Sequence, residues 1–485
     1  MKFLRNLFAL ALLWLAAAAP AEAAWLRAES PHFIVYGEGR EADLRARVAE
    51  LEDFDGLLRM LTGTNARPGQ AKLNVYLVRG YAEQRQIWPR AASNVGGFYT
   101  GTAEGVLAVS DVARRGMPSG NEILFHEYAH HFLLQYFPGV YPAWYTEGFA
   151  EYLMTATFEA TTIELGRSHP GRTPFLGMRW LEMEEVLWGL RREATPIARG
   201  QFYAQSWLLV HYLLRDPTRA AQLNRYLRAV NAGQEQRAAF AEAFAATPSQ
   251  LQQRLADYRR NGFTFSRLQR PSATAPPAIT IAALPPSAER LMFADVALRI
   301  ADTGAADALL QRIRREARPE GDPYAQRVLA RAEAMYGDAD VAGRLLTPLL
   351  AAAPEDAELL YLIGLRHARN EPRTAAGWFA RAYAADPNHF PAMFRHALIL
   401  AGMGAESRDE AMALALRAHG IAPQTDVIRL NAAAMLARRE RWVEAEALLA
   451  PLANGAHADN AAARTLLAKV RARDASGLAP APQTE

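Results

Sequence analysis

Two histidines four residues apart, with a glutamate beside the first, are the residues of this chain best placed to do chemistry: His126-Glu127-Tyr128-Ala129-His130. Around them Ile123, Leu124, Tyr128, Phe132 and Leu133 recur at helical spacing, so a helix is expected here. Residues i and i+4 of a helix share one face about one turn apart. Both imidazoles can therefore reach one zinc ion at ~2.0–2.1 Å. Glu127 then sits beside the metal without having to bind it, where its carboxylate can take a proton from an activated water. His131 falls on another face of the same helix.

A catalytic zinc takes three protein ligands and keeps one position open. The chain has no cysteine, so thiolates are excluded and the third ligand must be a histidine or a carboxylate. Trp144-Tyr145-Thr146-Glu147-Gly148-Phe149-Ala150-Glu151-Tyr152 follows the motif and is apolar and aromatic apart from its acids. That setting argues against two merely solvated helix charges. Glu147 is expected as the third ligand. Glu151, one turn on, is expected to accept a hydrogen bond from a ligating histidine and fix its tautomer.

H-E-Y-A-H followed by W-Y-T-E-G-F-A-E-Y resembles the gluzincin metallopeptidases, the thermolysin-like and zinc-aminopeptidase-like families, and most of all their short bacterial peptidase MA-like members. The resemblance spans residues 30–265 and is specific at these two segments. It implies Zn²⁺ held by His126, His130 and Glu147, Glu127 as general base, and a supporting carboxylate at Glu151. The G-x-M-E-N run with which zinc aminopeptidases bind a free amine is absent: Gly96-Gly97-Phe98-Tyr99 is the nearest text and has no glutamate. Endopeptidase and carboxyl-side activity both stay open, and endopeptidase is the expectation adopted. Val106–Ser110 resembles the family's edge strand, which could pair with an extended peptide. Tyr203, in Phe202-Tyr203-Ala204-Gln205-Ser206-Trp207, is a candidate oxyanion donor or a core tyrosine. His211 is the other candidate donor, read in preference as a packing histidine. His32 and His169 show no partner in the sequence. Tyr136, Phe137, Tyr141 and Trp144 read as aromatic walls around the site.

The elements that must position these residues are legible in outline. His32–Tyr36, Leu73–Val78, Phe98–Thr100 and Val106–Ser110 read as strands, the last two joined by a hairpin turn. Leu44, Val48, Leu51, Phe54, Leu57 and Leu58 mark a helix between the first two strands. After Asn121 the pattern is mostly helical to Phe263. A small sheet followed by helices is an α+β arrangement, so a zincin-like metallopeptidase domain is expected over residues 24–265.

Residues 266–288 are rich in proline and read as a linker. From 289 to 472 the chain is rich in Ala, Leu and Arg and repeats: Ala342, Ala375, Ala411 and Ala445 are spaced by 33, 36 and 34 residues. Leu346, Phe379, Ala415 and Leu449 keep the same spacing, and Pro354, Pro387 and Pro423 close three units. This resembles the tetratricopeptide repeat, with Gly364 at one of its small positions, and implies an all-α solenoid that binds a protein partner.

Lys2 and Arg5, an apolar run from Leu7 to Ala19, and Ala21-Glu22-Ala23 read as a signal peptide over residues 1–23. Export to a bacterial periplasm or beyond is expected, with no stable membrane span after cleavage. Residues 473–485 are expected to be a disordered tail. The formal net charge is only +3 with no basic run, so no nucleic-acid partner is expected. The function expected is zinc-dependent hydrolysis of a peptide or protein substrate, with the repeats recruiting substrate or partner. Zinc-dependent hydrolysis of a non-peptide amide is not distinguished from it. The alternative is a silent zincin-fold scaffold whose repeats are the working part. A silent scaffold has no need of Glu127, since zinc binds without it.

Overall fold

The computed structural model describes residues 25–65, 71–91, 95–114, 118–139, 141–189, 194–270, 276–300, 304–454 and 461–478. The expected signal segment 1–23 and residues 479–485 of the expected tail lie outside them.

Nine strands are present among the described residues: β1 (Trp25–Glu29), β2 (Phe33–Glu38), β3 (Leu73–Val78), β4 (Gly97–Thr102), β5 (Gly105–Asp111), β6 (Thr157–Phe158), β7 (Thr162–Leu165), β8 (Ser266–Gln269) and β9 (Thr280–Ala283). Six form a mixed sheet in the order β4-β5-β3-β2-β1-β9, and β6-β7-β8 form a small antiparallel sheet. The pairs β2–β3 and β3–β5 are parallel, and the rest of the large sheet is antiparallel.

Parallel strands need cover on both faces, and the sequence of β3 supplies it. Leu73, Val75 and Leu77 join Phe33, Val35, Val106 and Ala108 in the core beneath helix Glu41–Thr62 and the motif helix Gly120–Tyr136. Tyr76 and Val78 join Leu107 and Val109 on the opposite face, which Ile87 and Met292, Phe293 and Val296 of helix Ser287–Ile300 cover.

Three expectations change. Val106–Ser110 is not an edge: the turn at Glu104 folds β4 back onto β5, so β4 is the outer strand. The stretch after Asn121 is interrupted by β6 and β7. The expected linker supplies β8 to the small sheet and β9 to the far edge of the large one, because its short apolar runs find open strand partners in β7 and β1.

Beyond it the chain is helical throughout the described residues, in antiparallel pairs such as Pro323–Tyr336 with Ala339–Ala352 and Ala357–His367 with Pro372–Ala385. Ala342, Ala375, Ala411 and Ala445 are buried in the second helix of successive pairs. A side chain at Gly364 would meet the Phe379 ring at 2.4 Å, which explains the small residue where these two helices cross.

The helical region curls back onto the first unit. Gln135 Nε2 donates to Ile421 O at 2.9 Å, and Tyr361 OH donates to Glu104 Oε2 at 2.6 Å. Arg395 pairs with the same glutamate. Phe390, Phe394 and Met435 belong to the apolar core that contains the motif helix. Among the described residues no helix is long and apolar enough to cross a membrane.

Candidate metal centre

The motif helix begins at a capping box: Ser119 accepts from the Glu122 N–H, and Glu122 Oε2 accepts from the Ser119 N–H at 2.6 Å. Glu122 also meets His169 Nε2 at 3.1 Å, so His169 has the partner that the sequence hid. Burial alone would raise the Glu122 carboxyl, but His169 and the Ser119 N–H bring it down to about 2. Leu124, Phe125, Tyr128 and Phe132 bury the helix against the sheet and helix Glu41–Thr62. That leaves His126 and His130 facing a cleft.

Helix Ala143–Leu153 brings the carboxylate. A Cβ at Gly148 would lie 2.4 Å from Ser206 O and 2.6 Å from Val210 Cγ2, so only glycine lets this helix press onto helix Pro196–Leu214. Glu147 is thereby set opposite the histidines. His126 Nε2 and His130 Nε2 are 3.1 Å apart, and Glu147 Oε2 lies 3.3 Å from the first and 3.6 Å from the second. Donors held at ~2.0–2.1 Å around a tetrahedral zinc are about 3.3 Å from one another. Glu147 Oε2 is buried and meets no donor other than these imidazoles. Burial would raise the Glu147 carboxyl, but the imidazoles, His130 foremost, hold it below the usual carboxylate range. Two imidazoles and one carboxylate fit zinc in donor type, number and spacing.

Glu127 lines the same cleft and is buried. Burial pushes its carboxyl up to about 8; His130 opposes this, and the charges of Glu147 and Glu151 add to it. Glu151 is fully buried, 3.7 Å from His126 Nδ1. That is longer than a hydrogen bond. Its firm partner is Arg172, whose Nε and Nη2 reach it at 2.8 and 2.6 Å.

Tyr203 also lines the cleft, with its ring 6.5 Å from that of His126 and edge-on to it. The Arg172 guanidinium lies over the Tyr203 ring at 4.9 Å. The Glu147 charge and burial push its phenol upward, so the hydroxyl keeps its proton. His211 stands elsewhere, fully buried between Thr264 O at 2.9 Å and Tyr258 OH at 2.8 Å. His131 meets Tyr99 OH at 3.2 Å on another flank of the motif helix. Of the expected aromatic walls, Tyr141 reaches the cleft, while Trp144 is buried against Tyr226.

Sequence reading missed three parts of the site. Arg172 lies in a loop with no periodicity to mark it. Gly96 and Gly97 let β4 approach the motif helix, since a Cβ at either would come within 2.7 Å of Ile123; the paired glycines were the available signal. The third part is the opposite wall of the cleft, a cavity of about 500 Å³, which comes from the helical region through Gln424, Asp426 and Arg429.

No protein-family model matches the chain, and no curated protein matches it. Among solved structures, the chain is similar to a thermophilic TPR protein of Thermus thermophilus. That match has 21% identity and a TM-score of 0.32, and it covers 38% of this chain and 99% of that one. So loose a likeness leaves the helix pairs to rest on this chain's own packing.

Proposed function

We propose that the chain is a zinc-dependent peptidase of the gluzincin kind, cutting within peptide chains, with a tetratricopeptide-like solenoid that engages the substrate or a protein partner. The observation behind this reading is the convergence of His126 Nε2, His130 Nε2 and Glu147 Oε2 on one another, at 3.1, 3.3 and 3.6 Å. When bound there, zinc would supply Lewis acidity toward a carbonyl and would acidify water. His126, His130 and Glu147 would hold it. Glu127, which lines the same cleft, is placed to take a proton from the attacking water and return it to the leaving amine. The Tyr203 hydroxyl, still protonated, can donate to the carbonyl oxygen as it gains charge. Arg172 holds Glu151, and so the charge behind His126, in one position. The signal-like residues 1–23 and the absence of cysteine suit a bacterial periplasm or exterior.

The test is zinc content of the purified chain together with hydrolysis of a mixed-sequence quenched peptide library. About one zinc per chain is expected. Glu127→Gln should keep that zinc and lose ~10²–10⁴-fold in turnover. A chain that binds no zinc when it is supplied would sink the peptidase and leave a scaffold whose helical region is the working part.

A further inference from the structure

The wall of the cleft that faces the histidines is built by the loop after helix Arg408–Ile421 and the first turn of helix Asp426–Ala437. It contains a polar group that the fold leaves unanswered. Arg429 Nε is buried with no hydrogen-bond partner, and Gln424 stands on the same wall beside Tyr99. Arg429 is 7% exposed. Its Nη2 donates to Pro423 O at 2.5 Å, and no carboxylate is within salt-bridge distance among the described residues. Asp426, exposed and one turn earlier, acts on it only by longer-range charge. The loop is seated firmly: a Cβ at Gly101 of β4 would meet Gln424 Cγ at 3.1 Å and Thr425 Oγ1 at 3.2 Å.

A buried guanidinium without an anion is unfavourable. This one lies on the wall of the cleft that holds Glu127, His126, His130 and Glu147. A planar guanidinium is the natural receptor for a carboxylate, and an amide beside it answers the N–H and C=O of an extended peptide. We infer that this wall is a carboxylate-binding subsite of the substrate cleft, with Arg429 as its charged group and Gln424 beside it as a peptide-binding partner. The inference rests on the peptidase reading and deepens it. The helical region would contribute to substrate choice directly, and the carboxylate would be either the chain terminus of the peptide or an acidic side chain.

The experiment uses the full chain with Glu127→Gln, so that no probe is consumed, and with zinc supplied. Three mixed-sequence peptide libraries carry an uncharged dye at the N-terminus. One has a free C-terminal carboxylate and no acidic residue, one is amidated with a single glutamate, and one is amidated with no acid. Fluorescence anisotropy should show one of the first two binding about tenfold tighter than the third. Preference for the first identifies the terminus, and preference for the second identifies the side chain. The preference should fall to about twofold or less in Arg429→Gln and return in part in Arg429→Lys, which also controls for folding. Equal binding of all three libraries, or no binding, overturns the subsite. So does a preference that survives Arg429→Gln in a folded protein. Zinc measured in the same samples separates the two readings. Zinc without carboxylate preference removes the subsite alone. An Arg429-dependent preference without zinc removes the peptidase and keeps the subsite.

Discussion

Two clusters of histidine and carboxylate flank the same helix, and they have opposite characters. His126, His130 and Glu147 face the cleft. His32, Glu52 and Asp55 gather on another side, reached through Tyr128 of the same motif helix. By proximity alone either group could hold an ion. The second is saturated by donors. His32 Nδ1 meets Glu52 Oε2 at 2.7 Å, and the His32 N–H donates to Glu52 Oε1 at 3.0 Å. Asp55 accepts from Arg59 Nε and from Tyr128 OH, each at 2.5 Å. In the first cluster the carboxylate oxygen nearest the histidines meets only the two imidazoles, with no other donor on it. What separates the two clusters is therefore the absence of competing donors from outside the cluster, not distance.

The comparison can be broken outright by metal analysis of two variants. His126→Ala is expected to lose all stoichiometric zinc, and His32→Ala to keep it. Zinc retained in the first or lost in the second would reverse the assignment. Next in size is a stability effect confined to the saturated cluster. Asp55→Asn removes a buried carboxylate from half-buried Arg59 and from Tyr128 OH, so unfolding free energy should fall by ~1.5–3 kcal/mol, with zinc content unchanged. Denaturant melts of the two proteins check it. A smaller effect is expected behind the open cluster. Glu151→Gln should weaken zinc binding by ~10–100-fold, read by chelator competition, because the charge behind His126 is removed.

The smallest effect is in pH. Burial lowers the His32 pKa, but the Glu52 carboxylate and Asp55 outweigh it, so the folded value lies above the ordinary 6.5. A raised folded pKa means that the contribution is complete below about 6.5 and is lost as pH rises through the folded value. Stability measured at about pH 6 and about pH 9 should therefore fall by ~0.5–1 kcal/mol more in the wild type than in His32→Gln. An equal fall in both would show that His32 is no ion-pair partner.

Much was legible from residue order because it depends on short-range rules. The helical face of His126 and His130 follows from a spacing of four. The strands with alternating apolar residues, the helix containing Leu44 and Leu58, and the alanines and leucines buried in the helix pairs all follow from local periodicity. Glu147 and Glu151 could be named as candidates from an apolar, aromatic setting around two acids. The edge role of Val106–Ser110 failed because an edge is a property of the whole sheet: residues 97–102 had only to fold back to cover it. The strands in 266–288 were hidden by proline content, since pairing depends on open partners far away in the chain.

The chain's order of residues determined by itself which groups are candidate metal ligands and on which helix they stand. Only the tertiary structure decided that Glu147 meets both imidazoles, because Gly148 allows two helices to touch. Only it decided that His32 and His169 are answered by Glu52 and Glu122, and that Arg172 braces Glu151. Only it decided that Gln424 and Arg429, about three hundred residues beyond the motif, complete the cleft. The physical reason is common to all of these. Local spacing sets which face of a helix a residue occupies, but what that face meets is set by packing between segments remote in the chain.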